Sequence, residues 1–383
     1  MSRRRLLIVV NVDWFFVSHR FPIALAAVRQ GYDVHLATEI TARPDALRRS
    51  GLTVHPLSCM RGRPSFAASI RTFIEILRLC RRLKPDIVHL VTIRPVLLGG
   101  VAARLADVQG IVAAISGLGF VFSDTGLRAR IRRFLVAGLY SLALKHRNIR
   151  IIFQNAADRD TINAIAGVPD KHCEIIPGSG VDLDLFRPGP IPDGPPVVML
   201  AARMLRDKGV LDFVAAARIL RSADRGVGRL ARFVLVGAVD PGNPASLSRS
   251  EILSIKTEGA VELWGSNRDM WEVLPKASVI VLPSYREGLP KVLVEAAACG
   301  RAVVTTDVPG CRDAILSGVT GLLVPPRRPD ELASAIEGLL RDPARCAALG
   351  SAGRRLAERS FGIEGVVVRH MDIYSALIQG GCK

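Results

Sequence analysis

The most informative segment of the chain reads Val279-Ile-Val-Leu-Pro-Ser-Tyr-Arg-Glu-Gly-Leu-Pro-Lys-Val-Leu-Val-Glu-Ala-Ala-Ala-Cys-Gly300. Its four leading aliphatic residues, 279–282, predict a strand that is buried on both faces of a parallel sheet. Pro290 suits the first position of a helix, and Gly300 suits the residue just after its last position. The segment therefore predicts a strand, a short loop and a helix.

Two carboxylates stand eight positions apart in this unit. Glu287 falls in the predicted loop and Glu295 falls on the predicted helix. The backbone N–H groups of residues 288–292 are expected to point into the space before the helix, where an anion is held. Two acceptor side chains beside such a site suit a ligand with hydroxyls at both ends and phosphate between them, which is the pattern of a nucleotide sugar. The alternative is that both glutamates are solvated charges beside an ordinary turn.

The segment resembles the Glu-x7-Glu signature of retaining glycosyltransferase family 4, and the similarity continues through 201–209 and 318–325. The N-terminal half resembles, more loosely, the bacterial glycosyltransferases of polyprenyl-diphosphate-linked oligosaccharides, of the N-acetylgalactosaminyltransferase type. Gly117-Leu-Gly-Phe120 and Ser18-His-Arg-Phe-Pro22 carry that resemblance. It implies a retaining enzyme that transfers a hexose or N-acetylhexosamine from a nucleotide sugar, UDP-linked by analogy, to a lipid-linked glycan.

Short apolar runs alternate with helical patterns along the whole chain, six runs in each half, which predicts an α/β protein with parallel sheets. The runs are Leu6–Val10, Val34–Thr38, Ile87–Leu90, Ile111–Ile115, Ile151–Gln154, Glu174–Ile176, Val197–Ala201, Phe233–Val236, Val261–Trp264, Val279–Leu282, Ala302–Thr305 and Gly321–Val324. The proline-rich segment 187–196 can be neither helix nor central strand. We therefore expect two Rossmann-like doubly wound domains, an acceptor-binding domain at 1–187 and a nucleotide-sugar-binding domain at 188–362. The resemblance implies that they face each other across a cleft (the GT-B fold) and that 363–383 form a helix crossing back to the first domain.

Charge is distributed unevenly over the 383 residues, whose net charge is +17. Residues 1–187 contain 27 Lys or Arg and 14 Asp or Glu, whereas residues 188–383 contain 25 and 21. The N-terminal half is therefore expected to meet anionic partners. Seven cysteines without short pair spacing favour a reducing compartment over a zinc site or disulfide framework. The apolar run at 6–10 is read as a first strand rather than a signal peptide, and no apolar helical pattern is long enough to span a bilayer.

Cations are expected at the donor's phosphates. Arg203 and Lys208 follow the predicted strand 197–201, and charge builds on the diphosphate as it leaves. By resemblance, both side chains hold the diphosphate, Glu287 contacts the hydroxyls of the transferred sugar, and Glu295 binds the ribose. Further donor contacts are assigned to Gly288, Leu289, Pro290, Val292 and Asn267. A solvated basic turn is the alternative interpretation of the two cations.

The family relationship implies retention of anomeric configuration. The favoured route is attack on the face from which the diphosphate leaves, with that phosphate accepting the acceptor's proton, so no protein nucleophile is needed. Asp182-Leu-Asp184 resembles the metal-binding D-x-D of other glycosyltransferases, but it precedes the linker and is interpreted as structural. We therefore predict no metal and no cofactor.

Acceptor contacts are assigned to His19, in the predicted loop after the first strand, and to Arg94, in the loop after the strand at 87–90. His89 ends that strand where many family members have a catalytic histidine. The second histidine that usually follows is Val91 here, so a packed core residue is expected.

A basic stretch from 127 to 150 has seven Lys or Arg and no acid, with apolar residues at helical spacing. It predicts an amphipathic helix at an anionic membrane surface, with contacts from Arg128, Arg130, Arg132, Arg133, Phe134 and Lys145. The alternative is a domain helix that buries the same apolar face. The sequence thus predicts a cytoplasmic protein peripherally bound to the inner face of the plasma membrane.

Three other functions remain open at this point. One is a family 4 enzyme with a soluble or phosphoinositide-type acceptor. A second is nucleic-acid binding, which the pI of about 10.4 suggests but which lacks aromatic interleaving and any helix-turn-helix or zinc spacing. A third is a non-catalytic scaffold, which the intact Glu287, Glu295, Arg203 and Lys208 disfavour.

Overall fold

The computed structural model describes residues 3–41, 47, 50–58, 60, 65–118, 136–222, 226–267 and 269–380. The chain divides into two compact units. Residues 1–179 and 364–383 form the first unit, and residues 180–363 form the second. Each unit contains a parallel sheet with helices, the two-domain α/β architecture expected from the alternating pattern.

Within its described residues, the first unit has a seven-stranded parallel sheet in the order β3-β2-β1-β4-β5-β6-β7. Its elements are β1 Arg5–Val12, α1 Asp13–His19, α2 Phe21–Arg29, β2 Asp33–Glu39, β3 Thr53–Pro56, α3 Phe66–Leu83, β4 Ile87–Val91, α4 Ile93–Leu105, β5 Gly110–Ile115, α5 (residues 136–143), β6 Ile149–Phe153, α6 Ala156–Ala166 and β7 Cys173–Ile175. The central strands β1 and β4 are buried on both faces, as continuous aliphatic runs require.

The second unit has, in the part of the chain described, a six-stranded parallel sheet in the order β10-β9-β8-β11-β12-β13. Its elements are β8 Val197–Ala201, α7 Val210–Ser222, β9 Arg232–Val236, α8 Arg249–Glu258, β10 Glu262–Gly265, α9 Met270–Val273, β11 Val279–Leu282, α10 Lys291–Ala298, β12 Ala302–Thr306, β13 Gly321–Val324, α11 Pro329–Arg341 and α12 Pro343–Ser360. The last helix, α13 Ile363–Gly380, starts here and lies almost wholly in the first unit.

The division between the units lies at 179/180 rather than in the proline-rich segment. Val181 forms a bridge with Gly362, and its N–H donates to the carbonyl of Phe361 at 2.8 Å. Arg354 donates to the carbonyl of Phe186 at 2.7 Å. These bonds tie residues 180–187 to the second unit.

Two local predictions were wrong. Residues 13–19, expected as a loop containing His19, form helix α1 directly after β1, and His19 is its last residue. Arg94, also expected in a loop, lies in the first turn of α4.

The predicted basic helix at 127–150 is not one element. Helix α5 ends at residue 143, and Arg150 lies on strand β6. Arg128, Arg130, Arg132, Arg133 and Phe134 lie outside the described residues, whereas Lys145 is exposed just after α5. None of the described helices combines the length and apolar composition needed to cross a bilayer.

Candidate active site

Strands β8 and β11 are neighbours in the second sheet, and the chain runs outward from each in opposite directions. From β8 it continues to β9 and β10, and from β11 it continues to β12 and β13. Ligands of open parallel sheets bind at such a switch point, beside the carboxyl ends of the strands. The loops at 202–209 and 283–290 therefore meet where a ligand is expected.

Lys208 and Glu287 form an ion pair between these two loops. The Lys208 ammonium donates to Glu287 Oε1, and the Ser284 hydroxyl donates to the same oxygen at 2.7 Å. The Lys208 and Glu287 side chains are only 19% and 11% exposed, and Ser284 is fully buried. The sequence assigned Lys208 and Glu287 to different parts of a ligand, and the structure brings them into direct contact.

Two glycines allow the loops of the site to approach closely. Gly209 has φ +69°, and a Cβ there would lie 2.1 Å from the carbonyl oxygen of Pro283. Gly310 has φ +83°, and a Cβ there would lie 2.5 Å from the carbonyl oxygen of Glu287. Side chains cannot be accommodated at such distances, so glycine at both positions sets the path of the backbone that carries Lys208 and Glu287.

Arg203 lies on the loop after β8 and is partly exposed. Its Nη1 donates to Asp240 Oδ2 at 2.8 Å, and Asp240 is almost fully buried on the loop after β9. The buried carboxylate orients the guanidinium. Asp240 has no motif around it in the sequence, so its contribution was missed.

Asp207 adjoins Lys208, and its backbone carbonyl accepts the Tyr285 N–H at 2.9 Å. Its Oδ1 is buried without a hydrogen-bond partner in the described structure. Burial raises the pKa of Asp207, and the neighbouring Lys208 ammonium opposes that shift. Arg206, in contrast, points away to an exposed ion pair with Glu251. The sequence analysis singled out neither Arg206 nor Asp207, so the buried carboxyl was missed.

Glu295 lies one turn into α10 and is 5% exposed. The ammonium of Lys291, one turn earlier on the same helix, donates to its Oε1. Burial raises the pKa of Glu295, and Lys291 partly offsets the shift. Pro290 is the N-cap residue and α10 begins at Lys291, one position later than predicted. The remaining predicted contacts flank this helix start, with Gly288 and Leu289 buried before it and Val292 half-buried in its first turn.

Two family models match the chain. The model described as "Glycosyl transferase 4-like" matches residues 5–155, and the model described as "Glycosyl transferases group 1" matches residues 195–342, which contain the site. The chain belongs to the GT-B glycosyltransferases of family 4. The resemblance stated from the sequence is confirmed.

One curated relative of this glycosyltransferase is the N,N'-diacetylbacillosaminyl-diphospho-undecaprenol alpha-1,3-N-acetylgalactosaminyltransferase of Campylobacter jejuni. It is 29% identical over 336 residues, which cover 84% of this chain and 86% of the relative. Among solved structures, sucrose-phosphate synthase from Thermosynechococcus elongatus matches with a TM-score of 0.79 and 21% identity, covering 99% of this chain and 100% of that chain. Anabaena HepE in complex with UDP and glucose matches with a TM-score of 0.77 and 17% identity, covering 97% and 100%.

Asn267 of the glycosyltransferase is exposed after β10, two strands away from β8 in the sheet. Its Oδ1 accepts the Asp269 N–H at 2.8 Å, so the side chain closes a turn. Asn267 is therefore placed at the carboxyl edge of the same sheet but on its outer strand.

The predicted acceptor residues lie in the first unit of the enzyme. The His19 ring stacks on Phe15 with centroids 4.0 Å apart, and Arg94 donates to the Ser69 hydroxyl at 3.4 Å. His89 is fully buried, and its Nδ1 lies 2.7 Å from the Tyr374 hydroxyl on α13. The structure thus places His89 in the core, as expected.

Asp182 has a structural contact in this glycosyltransferase. Its Oδ1 accepts the N–H groups of Asp184 at 3.0 Å and Leu185 at 2.9 Å. This turn matches the structural interpretation of the D-x-D sequence. In the described ranges, no group of three or more His, Cys, Asp or Glu is arranged to hold a metal.

Proposed function

We propose that the enzyme transfers a hexosyl or N-acetylhexosaminyl group from a UDP-sugar to a polyprenyl-diphosphate-linked glycan, with retention of configuration. The observation that carries the proposal is the ammonium–carboxylate contact of Lys208 and Glu287 at the switch point, with Arg203 on the same loop as Lys208. The Campylobacter relative, whose name describes transfer to a diphospho-undecaprenol-linked sugar, supports the acceptor class.

Donor binding uses charges that are already in position. We assign the diphosphate to Arg203 and Lys208, with the positive N-terminal end of α10 beside it. Glu287 then accepts hydrogen bonds from hydroxyls of the transferred sugar. Lys208 and Glu287 contact each other in the free protein, so the donor replaces part of this ion pair when it binds. Phosphate oxygens then accept hydrogen bonds from the Lys208 ammonium, and sugar hydroxyls donate hydrogen bonds to the Glu287 carboxylate. Glu295 is assigned to the ribose.

The transfer forms one bond and breaks one. The bond between the anomeric carbon and the diphosphate oxygen breaks, and the acceptor hydroxyl oxygen bonds to that carbon from the same face. The hydroxyl proton passes to the departing phosphate oxygen, and UDP leaves. Arg203 and Lys208 stabilise the negative charge that develops on the diphosphate. We propose that these two cations supply the charge that other enzymes obtain from a divalent metal.

Membrane contact of the first unit is supported by an exposed apolar face on α3. Phe66, Ile70 and Ile74 are spaced at i, i+4 and i+8, and Phe66 is 84% exposed. Arg71 is exposed on the same helix, and residues 61–84 contain seven Lys or Arg against one acid. Such an apolar stripe can be buried in a membrane interface, and the flanking cations are attracted to anionic lipid headgroups. We therefore propose that this face rests on the cytoplasmic leaflet, where it would bring the enzyme to a lipid-linked acceptor.

The described end of the predicted basic helix contributes to the same argument. Leu139 and Leu142 on α5 are each 44% exposed, whereas Tyr140 and Leu144 are buried in the core of the first unit. The helix thus buries one apolar face and leaves a second one exposed, with Lys145 exposed beside it.

Activity is tested with the purified protein, a panel of UDP- and GDP-sugars, and a short-chain polyprenyl-diphosphate-linked glycan, with and without EDTA. Transfer from a UDP-sugar that EDTA leaves intact is expected, with product NMR giving the retained anomeric configuration. Glu287→Gln serves as the inactive control. Transfer only to a soluble acceptor such as an inositol phosphate would contradict the acceptor class, and dependence on added metal would contradict the role given to the two cations.

Flotation with vesicles tests the membrane contact. The full chain should float with vesicles that contain phosphatidylglycerol and not with neutral vesicles. Phe66→Ser combined with Ile70→Ser should abolish flotation, whereas Leu230→Ser, which changes a 72% exposed leucine of the second unit, should not. Equal flotation of all three proteins would refute the assignment to α3.

A further inference from the structure

Arg20 is a buried cation in the first unit that the sequence interpretation did not single out. It separates α1 from α2 and is 2% exposed. Its Nη1 donates to the carbonyl of His19 at 3.0 Å, and its Nη2 reaches the Ser116 hydroxyl at 3.5 Å. Its Nε has no hydrogen-bond partner, and no carboxylate in the described structure forms an ion pair with the guanidinium.

Such an arrangement is costly. Buried arginines are usually paired with acids, because a charge removed from water must recover its solvation energy from a partner. Burial lowers the pKa of Arg20 to about 10, so the side chain remains a cation at neutral pH. Neither of its two protein contacts is an anion. Among the described residues the charge therefore has no counter-charge, and an anionic ligand would supply one.

The neighbouring polar groups are also incompletely satisfied. His89 Nε2 and His370 Nε2 are buried and have no hydrogen-bond partner among the residues that the structure describes, and the two rings lie 5.6 Å apart. Both histidines have pKa values lowered chiefly by burial, and the charge of Arg20 contributes to each shift. Tyr374 provides one contact, to His89 Nδ1. As far as the structure describes the chain, the cluster thus contains hydrogen-bonding nitrogens without partners and a positive charge without a paired acid.

The position of the cluster matches a ligand site. Strands β1 and β4 are neighbours from which the chain runs outward in both directions, so they form the switch point of the first sheet. Arg20 follows β1 through the short helix α1, and Ser116 directly follows β5. Thr92, directly after β4, has φ +74°, and its N–H donates to the carbonyl of Ala114 at 3.1 Å. A β-branched residue with positive φ is strained, and such strain concentrates at binding and catalytic sites.

We propose that Arg20, with Ser116 and the loop at Thr92, forms a binding site for a phosphate or diphosphate group, separate from the donor-phosphate site on the second unit. The identification of that group with the diphosphate of the lipid-linked acceptor rests on the proposed function. A free inorganic anion has the same chemistry. The experiment therefore has one arm for the site and one for the source of the anion.

The first arm measures binding of inorganic pyrophosphate by titration calorimetry, with UDP present at saturation so that the second-unit site is occupied. Arg20→Gln is expected to weaken pyrophosphate binding about tenfold or more, since a charge-assisted contact is lost. Arg104→Gln, which removes an exposed cation at the end of α4, should bind like the wild type. Ser116→Ala provides a second variant that keeps the buried guanidinium, and it should weaken binding less than Arg20→Gln does.

Three outcomes would overturn the proposal. The first is that the wild type does not bind pyrophosphate when UDP is saturating, which would mean that the cluster holds only water. The second is that Arg20→Gln is folded, as judged by near-UV circular dichroism, and binds pyrophosphate as tightly as the wild type. The third applies if Arg20→Gln does not fold: Ser116→Ala then binds pyrophosphate as tightly as the wild type. Failure of UDP itself to bind would instead contradict the proposed function.

The second arm identifies the source of the anion by kinetics. Arg20→Gln should raise KM for a diphosphate-linked acceptor about tenfold and leave KM for the donor within about twofold. For a glycoside acceptor of the same sugars without the diphosphate, the variant and the wild type should have equal KM. Pyrophosphate binding that depends on Arg20, together with an unchanged acceptor KM, would support the site and assign it to a free anion.

Discussion

Replacement of Lys208 and Glu287, singly and together, is the most informative perturbation of the site. Within the described parts of the chain, Lys208→Met leaves the Glu287 carboxylate with Ser284 as its one side-chain partner, in a position that is 11% exposed. Leaving a largely buried charged group underpaired costs about 1–3 kcal/mol of unfolding free energy. Glu287→Gln leaves the Lys208 ammonium without its ion pair. Because this ammonium is more exposed than the carboxylate, the cost in unfolding free energy should be smaller. The double variant removes both charges and should cost less than the sum of the single changes.

Catalysis should respond more strongly than stability. Loss of a preorganised group that stabilises developing charge typically lowers kcat about 10²–10³-fold, or about 2.7–4 kcal/mol. Lys208→Met should therefore lower kcat by about that factor. The loss in the double variant should be smaller than the product of the two single losses, because the residues act as a unit.

Unfolding in denaturant and steady-state transfer assays on the four proteins of this cycle provide the measurement. The coupling energy for stability is expected at about 1–3 kcal/mol. The exposed pair of Arg218 and Glu258, on the helices α7 and α8 of the same unit, is the matched control and should show no coupling above experimental error. Strictly additive effects, or Lys208→Met with kcat/KM within about twofold of the wild type, would refute the role given to this pair.

Three further predictions concern the backbone and the buried ionisable groups. Gly310→Ala should lower the free energy of unfolding by about 1–3 kcal/mol and reduce activity, because its Cβ would lie 2.5 Å from the carbonyl of Glu287 at positive φ; chemical denaturation measures it. Burial lowers the pKa of His370 to about 3 and that of His89 well below 6.5. The unfolded chain therefore binds more protons than the folded one below about pH 6.5. As the pH is lowered, the free energy of unfolding should fall by up to about 1.4 kcal/mol per pH unit for each histidine. Replacing both histidines with Gln should flatten this pH dependence, measured by denaturation between about pH 6.5 and 4. Glu295 has a folded pKa raised by burial, so its carboxylate lowers stability at neutral pH; Glu295→Gln should raise Tm at neutral pH, the gain should vanish in acid, and the variant should bind UDP more weakly. No gain in Tm at neutral pH would contradict the sign of this shift.

Buried central strands were predictable from the sequence. The runs 197–201 and 279–282 match the central strands β8 and β11 residue for residue. Strands covered on both faces need aliphatic side chains at every position, so they can be recognised in the sequence as continuous aliphatic runs. The edge strand β3 was missed, because it is short, partly exposed and contains histidine and proline. Helix α1 was missed because its seven residues directly follow a strand without a side-chain cap.

The sequence was enough to select candidate residues for the site, but it did not predict their contacts. Glu287 and Lys208 were found from the spacing and the family resemblance, yet they stand 79 positions apart and only the sheet topology brings them together. Asp240 carries no local pattern, and the stretch 18–22 that contains Arg20 gives no sign that this arginine is buried. Whether a single charged residue is buried depends on packing between distant segments, and one sequence does not encode that in any short motif.

The central claim is that the loops after β8 and β11 hold the activated donor. A structure determined with a UDP-sugar or an unreactive analogue tests it most directly. The account predicts diphosphate oxygens within hydrogen-bond distance of Arg203 and Lys208, with hydroxyls of the transferred sugar on Glu287. A donor bound elsewhere, or one whose diphosphate contacts neither cation, would contradict it.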